Sequence, residues 1–214
     1  MIELTKGATP AWLTENQAQK TAEYKAAPAD KKPSPWRAHE VVAALKLETA
    51  KKCMYCECFI DDASYSAVEH IQPKSKFEDL VLEWSNLGLA CARCNTNKGE
   101  YWTSDPELQM LNPYDDALDV HIEFRGPLTI AALSSTRGRN TVRKFKFVER
   151  EDLLVSRMRA IEDLEAKLRL WHDEENDERK ALYAEDVSAA ISSDREFSAV
   201  LTAYATESGF AVSD

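Results

Sequence analysis

The chain has no run of about 18 apolar residues, the length a membrane-spanning helix requires, so no membrane partner is expected. Its opening, MIELTKGATPAW, lacks the apolar stretch of an export signal, and the expected location is the cytoplasm. No internal repeat and no low-complexity tract is present, which sets aside repeat architectures. Positive charge is scarce: 27 Lys and Arg face 37 Asp and Glu in 214 residues, a formal net charge of −10. A surface so acidic does not grip a polyanion unaided. The deficit is uneven, however. Residues 160–214 hold 14 acids against 5 bases, and residues 1–159 hold 23 against 22.

What the chain does have is two Cys-x-x-Cys pairs, Cys53/Cys56 and Cys91/Cys94. In a reducing compartment, paired cysteines are metal ligands rather than disulfides. Each pair at this spacing makes one tight knuckle, and two knuckles supply the four sulfurs of a structural Zn²⁺ site. A redox reading fails because neither pair sits in a βαβ pattern. Cys58 has no obvious partner and reads as a small hydrophobe or spare thiol.

The patterning predicts helices over 10–26 and 36–52, the second with Trp36, Val41, Val42, Ala44, Leu45 and Leu47 as its apolar face. Residues 58–72 read as a hairpin: Phe59-Ile60, a turn at Asp61–Ser64, then Tyr65 through Ile71, ended by Pro73. With a helix starting near Cys94–Asn95, the order is strand, strand, helix. Strands are expected at His121–Phe124 and Leu128–Leu133, followed by a basic block from Arg137 to Arg150. Leu154, Met158, Ile161, Leu164, Leu168 and Trp171 form one apolar stripe of a long helix. Two last helices are expected over 177–191 and 194–207. The fold class is α+β, mostly helical, divided as 1–52 (helical), 53–150 (zinc-bound core and following strands) and 151–214 (acidic helices).

Between and beside the knuckles stand Glu69, His70, Asn86 and Asn95. Phosphodiester hydrolysis needs a base for water, charge stabilisation at phosphorus and help for the leaving oxygen; one divalent cation serves the last two. Glu69 and Asn95 offer the hard oxygen donors that Mg²⁺ or Mn²⁺ prefers. His70, with an ordinary pKa near 6.5, suits the base. In an ideal pleat it points away from Glu69, so a twist near Pro73 is required. The Asn86 amide suits backbone groups of the 74–85 loop. Lys74, Lys76, Arg93 and Lys98 are phosphate-contact candidates, with Arg143 and Lys144 in the basic block.

Together, Cys53-Met-Tyr-Cys56-Glu57, Val68-Glu69-His70-Ile71-x-Pro73-Lys74, Trp84-Ser-Asn86-Leu87 and Ala90-Cys91-x-x-Cys94-Asn95-x-x-Lys98-Gly99 resemble an HNH endonuclease of the zinc-bearing ββα-metal kind. The resemblance is closer still to the HNH nuclease subunit of Septu-type and retron-associated anti-phage systems. Asn112-Pro113-Tyr114, the acidic run to His121 and Leu153-Leu154-x-x-Arg157 extend it over most of residues 40–160. It implies His70 as general base, Glu69 and Asn95 as ligands of a catalytic Mg²⁺ or Mn²⁺, and Asn86 as the loop-holding asparagine. It implies a nucleic-acid substrate, DNA favoured, and an ABC- or SMC-like ATPase partner. Glu69 stands where aspartate is usual, and Asn95 where many members have histidine. The rival reading is a catalytically silent zinc-ribbon adaptor joining such an ATPase to nucleic acid. His39 and His172 read as surface residues, and His121 as a satisfied strand histidine.

Overall fold

The structure, a computed structural model, describes residues 1–60 and 66–212. The expected turn at Asp61–Ser64, and Tyr65 with it, lies outside them.

Helix α1 (Ala11–Ala26) starts directly after Pro10 and stops before Pro28, where the chain can no longer supply a helical donor. Helix α2 (His39–Glu48) is shorter than the patterning predicts. Trp36 sits instead in a separate 3₁₀ turn, Pro35–Arg37, and Leu47 points into solvent. Val41 and Leu45, four residues apart, are the fully buried face of α2.

The strands that follow correct the expected hairpin. Phe59 makes only an isolated bridge to Lys52, and the true partner of β1 (Ser66–His70) is β2 (Leu87–Cys91). They run antiparallel, with Glu69 opposite Gly88 and His70 opposite Leu87. Ile71 N donates to Asn86 O at 3.0 Å, carrying the ladder one step past β1. Gly88 leaves the space that Met54 fills: a Cβ there would sit 2.3 Å from the sulfur of that buried side chain. Met54 in turn donates its amide to Leu89 O at 2.9 Å, which clamps the first knuckle to β2. Helix α3 (Ala92–Lys98) begins without a linker, two residues earlier than expected. Strand, strand and helix form a ββα unit, assembled across the 71–86 loop rather than from a tight hairpin.

A second ribbon, β3 (Ile122–Arg125) with β4 (Leu128–Ala131), precedes α4 (Thr136–Phe145). Ser135 Oγ caps α4 by accepting from Gly138 N at 2.8 Å. Gly138 has no room for a side chain, because a Cβ would lie 2.0 Å from the His121 carbonyl oxygen.

The rest is helical: α5 (Glu151–Asp173), α6 (Asp177–Ile191) and α7 (Ser198–Glu207). The stripe of α5 is as expected at Ile161, Leu164 and Leu168 and shifted by one residue at its N-terminal end. Leu153, Ile161, Leu164 and Leu168 are buried, Met158 is half exposed, and the fully buried Arg157 occupies the core. Its guanidinium donates to Thr129 Oγ1 at 2.8 Å and Pro127 O at 3.1 Å, which is how a charge survives there. The buried apolar residues form one cluster running from Leu13 through the ββα unit to Phe210. Among the described residues, no helix is long and apolar enough to cross a membrane.

Candidate active site

The sulfurs of Cys53, Cys56, Cys91 and Cys94 lie within 4.8 Å of one another, and Cys56 Sγ is 3.7 Å from Cys91 Sγ. Four thiolates about 2.3 Å from a tetrahedral zinc lie about 3.8 Å apart, so this donor set fits Zn²⁺ in softness, number and spacing. The first knuckle closes through Glu57 N to Cys53 O and Cys53 N to Cys58 O, both 2.9 Å. Glu57 takes a left-handed conformation, φ 64°, to make that turn. In the second knuckle, Cys91 Sγ accepts from Cys94 N at 3.4 Å, so the ligand also caps α3.

The cluster is tied to parts of the chain that no motif flagged. Arg150 Nη1 donates to Cys94 Sγ at 3.3 Å. Glu57 accepts from Ser198 Oγ at 2.8 Å and Ala199 N at 3.2 Å, at the start of α7. Lys52 Nζ donates to the carbonyls of Ser193 (2.6 Å) and Arg195 (2.9 Å). The C-terminal helices thus hold the first knuckle from behind. No spacing rule announces such long-range bonds, so the sequence carries no signal for them.

In front of the cluster, β1 and α3 bound a cleft of about 270 Å³ lined by Glu69, His70, Lys74, Asn95 and Lys98, among others. His70 Nε2 lies 3.0 Å from Val81 O. A carbonyl only accepts, so Nε2 carries the ring proton and Nδ1 keeps the lone pair. Trp36 meets the imidazole edge-on, with ring centroids 4.8 Å apart. Burial pushes the His70 pKa down to about 4, helped by the Lys74 and Lys98 ammonium groups and opposed by the Val81 carbonyl. That departs from the ordinary value expected from sequence. The ring is neutral at pH 7.

Asn86 is buried and spends its amide on the loop. Its Oδ1 accepts from Gln72 N at 2.7 Å, and its Nδ2 donates to Gln72 O (3.1 Å) and Leu80 O (3.0 Å). Leu80 precedes Val81, so these bonds also place the carbonyl that orients His70. Burial raises the Glu69 pKa, and the Lys98 ammonium partly offsets it from 2.5 Å. Lys98 Nζ also donates to His70 O at 2.7 Å, so one ammonium ties the Glu69 carboxylate to the end of β1.

Residues 53–100 match the family model described as HNH endonuclease. That stretch carries the HNH pattern. Over 126 residues the chain is 35% identical to the Septu protein PtuB of Bacillus thuringiensis, covering 58% of this chain and 46% of that relative. It is 28% identical over 145 residues to the Septu protein PtuB of Bacillus mycoides (strain KBAB4), covering 54% of this chain and 49% of the relative. The chain spans about half the length of the curated relatives it matches.

Within the HNH stretch, the structure brings His70, Glu69, Asn95, Lys74 and Lys98 to one cleft and leaves Asn86 behind it as a loop anchor. Arg93 is spent on an exposed pair with Asp152 at 3.2 Å, and Lys76, Arg143 and Lys144 do not line the cleft. His121 Nδ1 is 2.7 Å from Ser135 Oγ, Asp116 pairs with Arg137 at 2.7 Å, and among the described residues no ligand set forms around His121. For a catalytic ion, the HNH cleft offers the Glu69 carboxylate, which the Lys98 ammonium pairs from 2.5 Å, and the carboxamide of Asn95. Those are donors that suit Mg²⁺ or Mn²⁺.

Proposed function

We propose that this chain is a metal-dependent HNH endonuclease that hydrolyses phosphodiester bonds. The observation that carries the reading is the His70 ring: neutral, oriented by Val81 O, and opening with Glu69 and Asn95 on one cleft. In this reading His70 Nδ1 takes the proton of the attacking water. Asn86 holds the loop that fixes the imidazole, and Lys74 faces the phosphate. Glu69 and Asn95 would hold Mg²⁺ or Mn²⁺, which when bound supplies charge stabilisation to the phosphate and the leaving oxygen. Zn²⁺ on the four cysteines keeps the frame. DNA is the favoured substrate. The likeness to Septu proteins supports a role as nuclease effector in cytoplasmic anti-phage defence. An ATPase partner fits a chain whose net charge of −10 leaves affinity for a polyanion to be supplied elsewhere. The division into 1–52, 53–150 and 151–214 belongs to the same proposal.

One observation favours the rival adaptor. The Lys98 ammonium already neutralises the carboxylate that would hold the ion. A phage-protection assay with the chain and its genomic neighbour separates the two. A nuclease loses protection on His70→Ala; an adaptor keeps it, and retained protection at equal protein level removes the catalytic reading.

A further inference from the structure

A second, larger groove of about 650 Å³ opens beside the His70 cleft. Lys74, Asn95 and Thr96 line both, so the two are continuous. The far wall comes from outside the HNH stretch: Lys32, Ser34 and Arg37, in the turns between α1 and α2. Among the described residues no acidic side chain lines this groove, in a chain where acids outnumber bases 37 to 27.

Its three cations are held differently. Lys32 Nζ is neutralised by Glu78 Oε1 at 2.6 Å. Lys74 Nζ rests 5.4 Å from the Trp36 ring centroid. Arg37 is exposed, and among the described residues neither it nor Lys74 forms an ion pair. Unpaired cations along a groove that opens onto a hydrolytic cleft match a ligand whose charge repeats along its length. A single carboxylate or free phosphate would leave one of them unanswered.

We infer that this groove seats the sugar–phosphate backbone of the strand being cut, on one side of the scissile bond, with Arg37 and Lys74 against its phosphates. The inference rests on the nuclease reading above and names how that site holds its substrate. Tyr24 and Trp36 are 5% and 7% exposed and offer no free ring face for stacking. The contact is therefore to backbone, not to bases, and carries no sequence preference.

The test is fluorescence anisotropy of the full chain copurified with its genomic neighbour, with short labelled DNA and RNA strands, in Ca²⁺ to prevent cutting, over roughly 50 to 200 mM salt. Arg37→Glu is compared with Arg159→Glu, an equal change of net charge on the exposed face of α5. Expected for Arg37→Glu is about a tenfold loss of affinity and a salt slope shallower by about one, uniform across sequences. Arg159→Glu should stay near wild type. If Arg37→Glu does not fold, Ser34→Asp on the same wall carries the test. Binding by the groove variant equal to wild type, while wild type cuts and His70→Ala does not, overturns the groove alone, whatever acidic protein segment it then takes. Wild type that binds neither DNA nor RNA overturns the groove together with the nuclease reading.

Discussion

His70 Nε2 lies 3.0 Å from the carbonyl oxygen of Val81, and that contact decides which ring nitrogen is free. The carbonyl claims the proton on Nε2, so the lone pair on Nδ1 is left for solvent or substrate. Burial beneath Trp36 keeps the ring neutral.

A pH dependence follows from that burial. The unfolded imidazole takes its proton near pH 6.5 and the folded one near 4. Between those values the unfolded state binds more protons, so folding stability falls as pH drops from 6.5 to 4 and is unaffected above 6.5. The shift corresponds to roughly 3 kcal/mol when complete. In zinc-loaded protein without added divalent ions, the His70 ring resonance should titrate near 4 by NMR. Titration near 6.5 would show an exposed ring and remove this reasoning.

Asn86→Ala deletes three hydrogen bonds and strands Gln72 N, Gln72 O and Leu80 O in a half-buried loop. The cost should be roughly 3 kcal/mol in urea denaturation, with the His70 resonance moving as Val81 O loses its place. A cost under about 1 kcal/mol would mean that the loop holds itself.

Zinc should copurify at one per chain and hold the fold. Chelation should lower the melting temperature and expose the thiols. Folded protein with clearly less zinc would sink the four-cysteine assignment. Arg150→Met removes the N–H that reaches Cys94 Sγ and a positive charge beside the thiolates. Zinc transfer to a chelating dye should then be about tenfold faster, within the range outer ligands command. Unchanged transfer would make Arg150 mere packing.

The cysteine pairs and the His70 neighbourhood are legible in the sequence because both depend on short spacings. The knuckles need two intervening residues, Glu69 and His70 are adjacent on one strand, and Asn95 rides on the helix that begins straight after Cys91. The pairing of β1 differs from the expected one because Phe59-Ile60 is the nearer apolar pair, whereas the true partner, Leu87–Cys91, returns only after a loop whose hydrogen bonds run through Asn86. The α5 stripe shifts by one residue at its N-terminal end alone, because Arg157 takes the core place expected of Met158, held there by acceptors contributed by Pro127 and Thr129. The drop in the His70 pKa comes from burial, to which no local pattern points; Trp36, for one, meets the ring from a separate turn.

The most direct test of the central claim is cleavage of plasmid DNA in Mg²⁺ or Mn²⁺ by the protein copurified with its genomic neighbour, wild type beside His70→Ala of equal zinc content. Expected is a loss of about 10²- to 10⁴-fold in the variant, the usual contribution of a positioned general base. Equal rates from the two proteins would place the chemistry elsewhere and leave the His70 cleft without a catalytic role.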